Sequence, residues 1–348
     1  MKTKRNPFKY LQTLSLLLVT ALLLSSCSQT EQPLTPTKAQ IIVFGTYVDM
    51  TLYTDEPQSA EDAIQRVEQR FQQFHQEWHA WEKGGIVSKI NQAIAAGQSI
   101  EVSSAIKDFI LKSQNLSANS DFLFDPAIGK LVALWGFHSE QWTGPPPSDA
   151  DIQTWLDTRP SIADLHFDGL NLSSTNPNVQ LDFGGNAKGL ALDIAMQQIR
   201  QAGIENAMVN IGGDMRVIGS KNGQAWRIGI QNPAKPSKAI AMLELSGNES
   251  VVTSGTYQRF FEWQGQRFSH ILDPNTGRPA NSFASVTVIH PDATTADTAA
   301  TAILIAGPLR WRAIAESLGI DTVFIIDHDG QILQTKSITQ RIKILDAR

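Results

Sequence analysis

Two oxygen-bearing side chains, Asp297 and Thr301, lie four residues apart in an alanine-rich segment. If this segment is a helix, the spacing places the carboxylate and the hydroxyl on one face. Small neighbours let a ligand approach closely, and a pair of hard oxygens suits Mg²⁺ that keeps phosphate and water ligands. The same spacing is also typical of a capping aspartate and of a threonine that bonds back to its own helix. The residues alone leave both interpretations open.

A lone histidine, His270, ends an apolar-alternating strand within the segment from Ser254 to Ala280. A strand that delivers one imidazole to a sharp loop is a common way to build a site on a rigid scaffold. Arg259 lies on the same segment and can clamp a phosphate bidentately or pair with an acid. A histidine that is satisfied within its own strand end is the competing interpretation.

A short strand, two glycines and a helix follow one another around Gly184-Gly185. In such a layout the free N–H groups and the dipole of the helix N-terminus favour an anion. Asp182 and Lys188 flank the glycines, and Lys188 adds positive charge. A tight strand–helix turn with a solvated lysine explains the same residues without any ligand.

The elements that must position these side chains follow from periodicity and capping. Helices are predicted at 59 to about 78, at 86–96, from the N-cap Ser103 to about 119, at 149–158, after Gly185 up to Arg200, and at 294–306 and 309–318. Strands are predicted at 41–53 with an interruption at Gly45-Thr46, and at 165–172, 179–183, 208–217, 226–231, 239–245, 250–253, 258–264, 267–272, 283–289, 322–327 and 331–335. Because strands and helices mix without strict alternation, we predict an α+β fold: one large mixed domain with antiparallel strands and packed helices.

The composition is that of an ordinary globular protein, with 348 residues, 42% hydrophobic and 18% charged. The net charge of −5 comes without a basic stripe, so nucleic-acid binding has little support. The sequence has no HExxH, CxxC, P-loop or GxGxxG motif, which leaves a zinc site, a Walker ATPase and a standard dinucleotide fold unsupported. Trp81, Trp135 and Phe124 can stack on a flat ring or belong to the core.

The N-terminal segment has the features of a secretion signal. Basic residues precede an apolar run from Leu11 to Leu24, which is short for a membrane span, and small residues then lead to Cys27, the only cysteine. This arrangement resembles a bacterial lipoprotein signal with Cys27 as the lipidated N-terminus; an ordinary signal with an incidental cysteine is the alternative. We predict a signal peptide at 1–26, a flexible tether at 27–38 and one domain at 39–348.

Nine short motifs occur in one order along nearly all of the predicted mature chain. They read VFGT (43–46), W with SKIN (81 and 88–91), FDP with IG (124–129), LWGF (134–137), LDFGGNAKG (181–189), NIGGD (210–214), SGTYQR (254–259), HILDPNTGRP (270–279) and ADTAATA (296–302). Each motif is weak alone. In this order they resemble the ApbE family, flavin transferases that move FMN from FAD onto a protein Ser or Thr.

The resemblance implies roles by position. Asp297 and Thr301 would ligate Mg²⁺ together with the backbone carbonyl of Ala187, and His270 would be the catalytic or substrate-orienting histidine. The residues that would contact FAD are Phe44, Trp81, Phe124, Asp125 and Pro126 on the flavin side, and Asp182 and Lys188 on the nucleotide side, with Arg259 adding charge.

Three residues at or beside these positions differ from the family pattern. Phe44 replaces the usual Met and Trp81 the usual Tyr, and both keep an apolar or stacking surface. Asn186 replaces the usual aliphatic residue beside Ala187. None of them removes a group that the chemistry requires.

The implied reaction is Mg²⁺-dependent transfer of FMN to a Ser or Thr hydroxyl of a target flavoprotein, such as an Nqr/Rnf-type subunit, with release of AMP. An Mg²⁺-dependent FAD pyrophosphatase, a flavin-binding lipoprotein without turnover and a lipoprotein for an unrelated solute stay open as alternatives. The expected location is the bacterial envelope through a lipid anchor, facing the periplasm or the cell exterior. Ser28 after the cysteine favours the outer membrane.

Overall fold

The computed structural model describes residues 33–139, 141–142 and 144–345. The predicted signal peptide, Cys27 and most of the tether lie outside the described residues. From Pro36 onward the chain groups into one compact unit, and its first strand begins at Thr37, two residues before the predicted start of the domain at residue 39. None of the helices in the described ranges has the length and apolar character that crossing a membrane requires.

The helices and strands are numbered here in chain order. The helices are α1 Pro57–Trp78, α2 Ile86–Ala95, α3 Ser104–Asn119, α4 Gly129–Leu134, α5 Asp149–Thr158, α6 Ala187–Gln201 and α7 Ala293–Ser317. The strands are β1 Thr37–Val43, β2 Thr46–Tyr53, β3 Ile100–Glu101, β4 Leu165–Asp168, β5 Asn171–Ser174, β6 Asn206–Ile211, β7 Asp214–Gly219, β8 Trp226–Asn232, β9 Lys235–Leu245, β10 Gly247–Gly255, β11 Phe260–Trp263, β12 Gln266–Ser269, β13 Leu272–Asp273, β14 Arg278–Pro279, β15 Ser285–His290, β16 Thr322–Ile326, β17 Ile332–Gln334 and β18 Ile342–Ile344.

Eight strands form one large sheet in the order β1-β2-β6-β7-β10-β15-β16-β17, and every neighbouring pair is antiparallel. Helices α1, α6 and α7 pack on one face, where apolar side chains of β2, β6, β10 and β15 meet theirs. The small sheet β18-β9-β8 covers the other face. Apolar burial on both faces of the central strands holds these three layers together. The α+β prediction, with antiparallel strands and packed helices, is confirmed.

Several element predictions are confirmed closely. Ser103 caps α3, since its side chain accepts a hydrogen bond from the N–H of Ile106 at 3.4 Å. Helix α5 has the predicted bounds. The predicted break after residue 306 is also present, because α7 is kinked at Gly307, whose φ of 67° and ψ of −174° are not helical, and Pro308 follows.

Four strand predictions are wrong. The segment 208–217, predicted as one strand broken by Gly-Gly-Asp, is a hairpin of β6 and β7 that turns at Gly212 and Gly213. The segment 41–53 is not one interrupted strand: β1 and β2 form a hairpin whose turn residues, Phe44 and Gly45, both have positive φ. The segment 165–172 is not one strand, because the chain turns at Gly169 and β4 pairs with β5. Within 179–183 the described backbone makes one isolated bridge, between Gln180 and Ile128.

Candidate active site

The candidate residues gather at one end of the large sheet. The β1–β2 turn and the Gly212-Gly213 turn of β6–β7 lie side by side there, and the N–H of Gly212 donates to the carbonyl of Tyr47 at 3.1 Å. The next strand pair follows at the same end, where the N–H of Thr253 donates to Asp214 at 3.0 Å. The N-terminus of α6 and the second turn of α7 face these turns, which places backbone N–H groups and side-chain oxygens together.

Asp297 is the buried acid of the site. Only 3% of the residue is exposed, and its Oδ2 accepts a hydrogen bond of 2.9 Å from the N–H of Gly189, in the first turn of α6. Helices α6 and α7 approach this closely because residue 189 is glycine: a Cβ there would meet the carbonyl oxygen of Ala293 at 2.4 Å. Asp292, and not Asp297, caps α7 itself. Asp297 therefore serves the neighbouring helix.

Burial has the largest effect on the pKa of Asp297. It raises the pKa of the carboxyl to about 7, against the opposing charge of Lys188, and the charge of Asp214 raises it further. A carboxylate in this position holds its charge most easily beside a cation. Among the described residues, no hydrogen bond reaches its second oxygen, Oδ1. The side chain therefore fits a metal ligand.

Thr301 follows one turn later on the same face of α7. Its hydroxyl lies 3.0 Å from the hydroxyl of Ser254 at the end of β10, and no bond from it back to its own helix is present in the described chain. The Gly184-Gly185 turn passes directly over it, since a Cβ on Gly185 would lie 3.9 Å from Thr301 Oγ1 and 3.0 Å from the Phe124 ring. The glycine thus leaves room beside Thr301 that a larger residue would fill.

Lys188 is ion-paired and is not a solvated turn residue. Its ammonium group contacts a carboxylate oxygen of Asp214, which is 2% exposed. Burial alone would lower the pKa of Lys188, but the charges of Asp214 and Asp297 outweigh it and raise the pKa above its usual value. One fixed cation therefore lies among two buried acids, at the N-terminus of α6.

Asp182 closes the turn and orients Trp81. One carboxylate oxygen accepts from the N–H of Gly184 at 2.8 Å, and the other accepts from the indole N–H of Trp81 at 2.9 Å. The indole ring lies 5.2 Å from the ring of the exposed His138, at an interplanar angle of 45°. His79 fixes the start of this segment, because its Nδ1 accepts from the N–H of Trp81 at 3.2 Å.

His270 follows β12 and bonds to the backbone of Arg259. Its Nδ1 lies 2.9 Å from the carbonyl oxygen of Arg259, and since a carbonyl only accepts, Nδ1 carries the proton and Nε2 keeps a free lone pair. Burial lowers the pKa of His270 to about 4, and the charges of Arg259 and Lys188 lower it further against this hydrogen bond. The imidazole is therefore neutral at pH 7 and able to accept a proton.

Arg259 has a structural role in this arrangement. Its guanidinium donates to the carbonyl oxygens of Phe137 at 2.6 Å and Ser139 at 3.1 Å. These bonds hold the loop that carries His138. The side chain connects that loop to His270. A contact of Arg259 with phosphate stays a prediction.

Three of the predicted flavin-side residues are tied into the scaffold. The ring of Phe44 packs 5.2 Å from Phe71 of α1, in an edge-on arrangement. Asp125 is 5% exposed and accepts from Ser161 Oγ at 2.7 Å and from the N–H of Ala127 at 2.9 Å, while burial raises its pKa to about 6.

The carbonyl of Pro126 accepts from the N–H of Asp182 at 2.8 Å. The turn at 124–126 therefore supports the Gly184-Gly185 loop from below. Its contact with a flavin stays a prediction.

Sequence reasoning missed two residues of this site. Asp214 pairs with Lys188, and Ser254 contacts Thr301. Both lie within quoted motifs, NIGGD and SGTYQR, so the motifs located them but spacing gave no partner across the fold.

The described residues contain no group of three or more His, Cys, Asp or Glu side chains that could hold a metal ion. The predicted set of Asp297, Thr301 and the Ala187 carbonyl has one carboxylate and two neutral oxygens, and its role as a metal site stays a prediction. Such a set suits a hard cation that takes its other ligands from water and phosphate.

An antiparallel eight-stranded sheet between helices and a small sheet, with an acid–lysine–acid cluster near a glycine turn, is the arrangement that the comparisons with known proteins can test. The chain matches the ApbE family over residues 44–324, and it belongs to this family.

Solved structures of this family share the fold. The ApbE protein from Thermotoga maritima superposes with a TM-score of 0.81 and 30% identity, covering 88% of this chain and 99% of that one. The flavin transferase ApbE from Vibrio cholerae superposes with a TM-score of 0.78 and 27% identity, covering 89% of this chain and all of that one.

Two relatives of this chain are both named FAD:protein FMN transferase. A FAD:protein FMN transferase of Rhodobacter capsulatus is 38% identical over 304 residues, which is 87% of this chain and 58% of that protein. A FAD:protein FMN transferase of Vibrio cholerae is 30% identical over 316 residues, covering 90% of this chain and 93% of that protein. The chain thus spans little more than half of the first relative and nearly all of the second.

Proposed function

We propose that this chain transfers FMN from FAD to a hydroxyl of a target protein and releases AMP. The names of the relatives support a flavin transferase. The observation that carries the proposal is the meeting of Asp297, Thr301 and the Lys188–Asp214 pair at the Gly184-Gly185 turn. These groups supply the charges and the backbone N–H groups that a diphosphate requires.

The reaction exchanges the phosphoanhydride bond of FAD for a phosphoester bond to the acceptor. The acceptor Ser or Thr oxygen attacks the FMN-side phosphorus of FAD, a new P–O bond forms, and the bond to the bridging oxygen breaks with its electron pair leaving on AMP. The hydroxyl proton goes to a base. His270 is neutral at pH 7 with a free Nε2 lone pair, so we assign it this role.

The other residues act on charge and position. Lys188 faces the diphosphate oxygens, and Asp214 fixes where its ammonium group lies. Trp81 offers an indole face that Asp182 orients for ring stacking. The phosphoryl transfer itself needs little covalent help from the protein, so positioning and electrostatics account for most of the catalysis.

Mg²⁺ is the cofactor that we propose for this site. Asp297, Thr301 and the Ala187 carbonyl would hold it, and when bound it neutralises charge on the phosphate oxygens. The raised pKa of Asp297 and the absence of a protein hydrogen bond to its Oδ1 support this assignment.

The test is incubation of the protein with FAD, Mg²⁺ and an acceptor flavoprotein subunit of Nqr/Rnf type, followed by in-gel fluorescence for covalent FMN. We expect transfer by the wild type and its loss in Asp297→Ala and His270→Ala. Transfer at the wild-type rate by either variant contradicts the assigned roles. Release of FMN and AMP in the presence of acceptor, without any labelled protein, identifies a pyrophosphatase instead.

We also propose that the protein is held at the cell envelope by a lipid on Cys27, facing the periplasm or the exterior. The support is the basic and apolar run that precedes this cysteine. Metabolic labelling with a radioactive fatty acid should label the wild type and not Cys27→Ser. Equal labelling of both proteins contradicts the anchor.

A further inference from the structure

A groove lies on the protein away from the candidate active site, along the C-terminal half of α6. It encloses about 400 Å³ and is lined by Asp193, Met196, Gln197, Arg200, Gln201 and Arg216. Lys188 and Arg200 are twelve residues apart on one helix, which is about 18 Å along its axis. The groove is therefore separate from the glycine turn.

Arg216 is buried in the groove wall, and one of its N–H donors is unpaired among the described residues. The residue is 8% exposed, and its guanidinium contacts Asp193 and donates to Asn248 at 3.2 Å. Its Nε–H is buried and has no hydrogen-bond partner among the described residues. A buried unpaired N–H of a charged group is costly, so the arrangement favours an added acceptor.

The carboxylate in the groove is already occupied. Asp193 accepts from the N–H of Ala293 at 3.0 Å, and from both the N–H and the hydroxyl of Thr294, at 3.1 and 2.7 Å. With Arg216 as a fourth donor, its charge serves the N-terminus of α7. Asp193 offsets the charge of Arg216, and the positive charge that is left in the groove is that of Arg200.

Arg200 supplies a second guanidinium to the same groove. It is exposed, and within the described chain its side chain has no hydrogen bond or ion pair. Burial and the charge of Arg200 both lower the pKa of Arg216, against the opposing charge of Asp193. Glu205 lines an adjoining groove that shares Arg200, but it makes no ion pair with it. Arg200 thus has no acid paired with it among the described residues, whereas Arg216 is paired with Asp193.

We propose that this groove is a second anion site, which binds a phosphate group between Arg200 and Arg216. Guanidinium N–H groups match the oxygens of a tetrahedral phosphate, and the side-chain amides of Gln197 and Gln201 are neutral donors one helical turn apart on the same groove. Met196 gives the groove an apolar side, which suits a phosphomonoester with a small organic body.

The test uses the full chain without FAD or Mg²⁺, titrated with inorganic phosphate by calorimetry. Two charge-assisted contacts predict a dissociation constant of about 1 mM. Arg200→Ala should weaken binding about tenfold, and the matched control Arg227→Ala, an exposed arginine of β8, should bind like the wild type. Thermal unfolding should show the same order, with phosphate raising the Tm of the wild type and of Arg227→Ala more than that of Arg200→Ala.

A third variant separates this groove from the candidate active site. Lys188→Gln should keep phosphate binding, because Lys188 is not part of the groove. Absence of saturable binding by the wild type overturns the proposal. It is equally overturned if Lys188→Gln abolishes binding while Arg200→Ala retains it.

The source of the phosphate is resolved by a second titration with AMP. Tighter binding of AMP than of inorganic phosphate, lost in Arg200→Ala, identifies a nucleoside monophosphate as the preferred ligand. Equal or weaker binding of AMP identifies the free anion. Failure of both ligands to bind contradicts the site.

Discussion

The candidate active site has two walls that are built differently. One wall, here called the helix wall, consists of Lys188, Asp214 and Asp297, which are carried by α6, β7 and α7. The other, the loop wall, consists of Trp81, His138, Arg259 and His270, which lie on connections between elements. The acids of the helix wall are almost fully buried, whereas the loop-wall residues are exposed or half-buried.

This difference separates two tasks. The helix wall keeps charges in a low-dielectric place, where each one depends on a partner and a lost partner is expensive. In the loop wall, His270 and Arg259 bond to backbone carbonyls and the indole of Trp81 donates to Asp182; solvent can replace such bonds at modest cost. We therefore expect substitutions in the helix wall to have larger effects than substitutions in the loop wall.

The largest effect should come from Asp297→Asn. The amide can still accept from the N–H of Gly189, but it lacks the charge that a divalent cation requires. Because burial already raises the pKa of Asp297 to about 7, the neutral side chain should leave the Tm within a few degrees of the wild type. Transfer of FMN should fall about 1000-fold. A rate within tenfold of the wild type, with normal folding, would show that this acid does not hold the metal.

The next effect concerns the coupling between Lys188 and Asp214, measured by a double-mutant cycle with Lys188→Met and Asp214→Asn in urea unfolding. The Asp214 side chain is buried, with 3% of it exposed, whereas 35% of the Lys188 side chain is exposed. We expect a coupling free energy of about 1–2 kcal/mol, at the low end for buried pairs.

The matched control is the surface pair Arg278–Asp149, whose side chains are 51% and 90% exposed. Its coupling should be below about 0.5 kcal/mol. Equal coupling in the two pairs would remove the distinction between buried and exposed charges.

A smaller effect is expected from the pH dependence of His270. Its folded pKa is about 4 and the unfolded value is 6.5, so between these values the unfolded chain binds the extra proton and acid destabilises the fold. After allowance for solvent screening, the wild type should lose about 1 kcal/mol more than His270→Gln between pH 7 and pH 5. Parallel stability curves of the two proteins would show that His270 titrates normally.

The smallest effect should come from Trp81→Phe, which removes the indole N–H that donates to Asp182 and keeps an aromatic face. The expected loss is about 1 kcal/mol in FAD binding, or roughly a fivefold rise in KM, with kcat nearly unchanged. A large fall in kcat would instead place the indole among the groups that act on the transition state.

Local sequence signals were sufficient to predict the helices that begin at a capping residue or end at a helix-breaking residue. Ser103 predicted the start of α3, and the Gly-Pro pair at 307–308 predicted the break in α7. The β1–β2 hairpin could not be predicted, because its turn uses a positive φ at Phe44, a residue type that rarely adopts it. The prediction of a strand at 179–183 was wrong because apolar alternation does not reveal whether a partner strand is available.

The site residues divide in the same way. Asp297, Thr301 and Lys188 could be predicted as a group from ordered motifs, and the structure brings them together. The partners of these residues could not be predicted. Lys188 of α6 contacts Asp214 of β7, and Arg259 donates to carbonyl oxygens about 120 residues away along the chain. Side-chain contacts of this kind depend on the register and packing of the whole sheet, which one sequence does not determine.

The kink at Gly307 offers a practical use for the second half of α7. It separates the turns that carry Asp297 and Thr301 from the turns that follow, and Leu309 directly after it is 97% exposed. A Leu309→Cys variant would present a thiol that a fluorophore or a solid support can reach. With Cys27, the only natural cysteine, replaced by serine, the attachment point would be defined, and the enzyme could be labelled without contact to its charged helix wall.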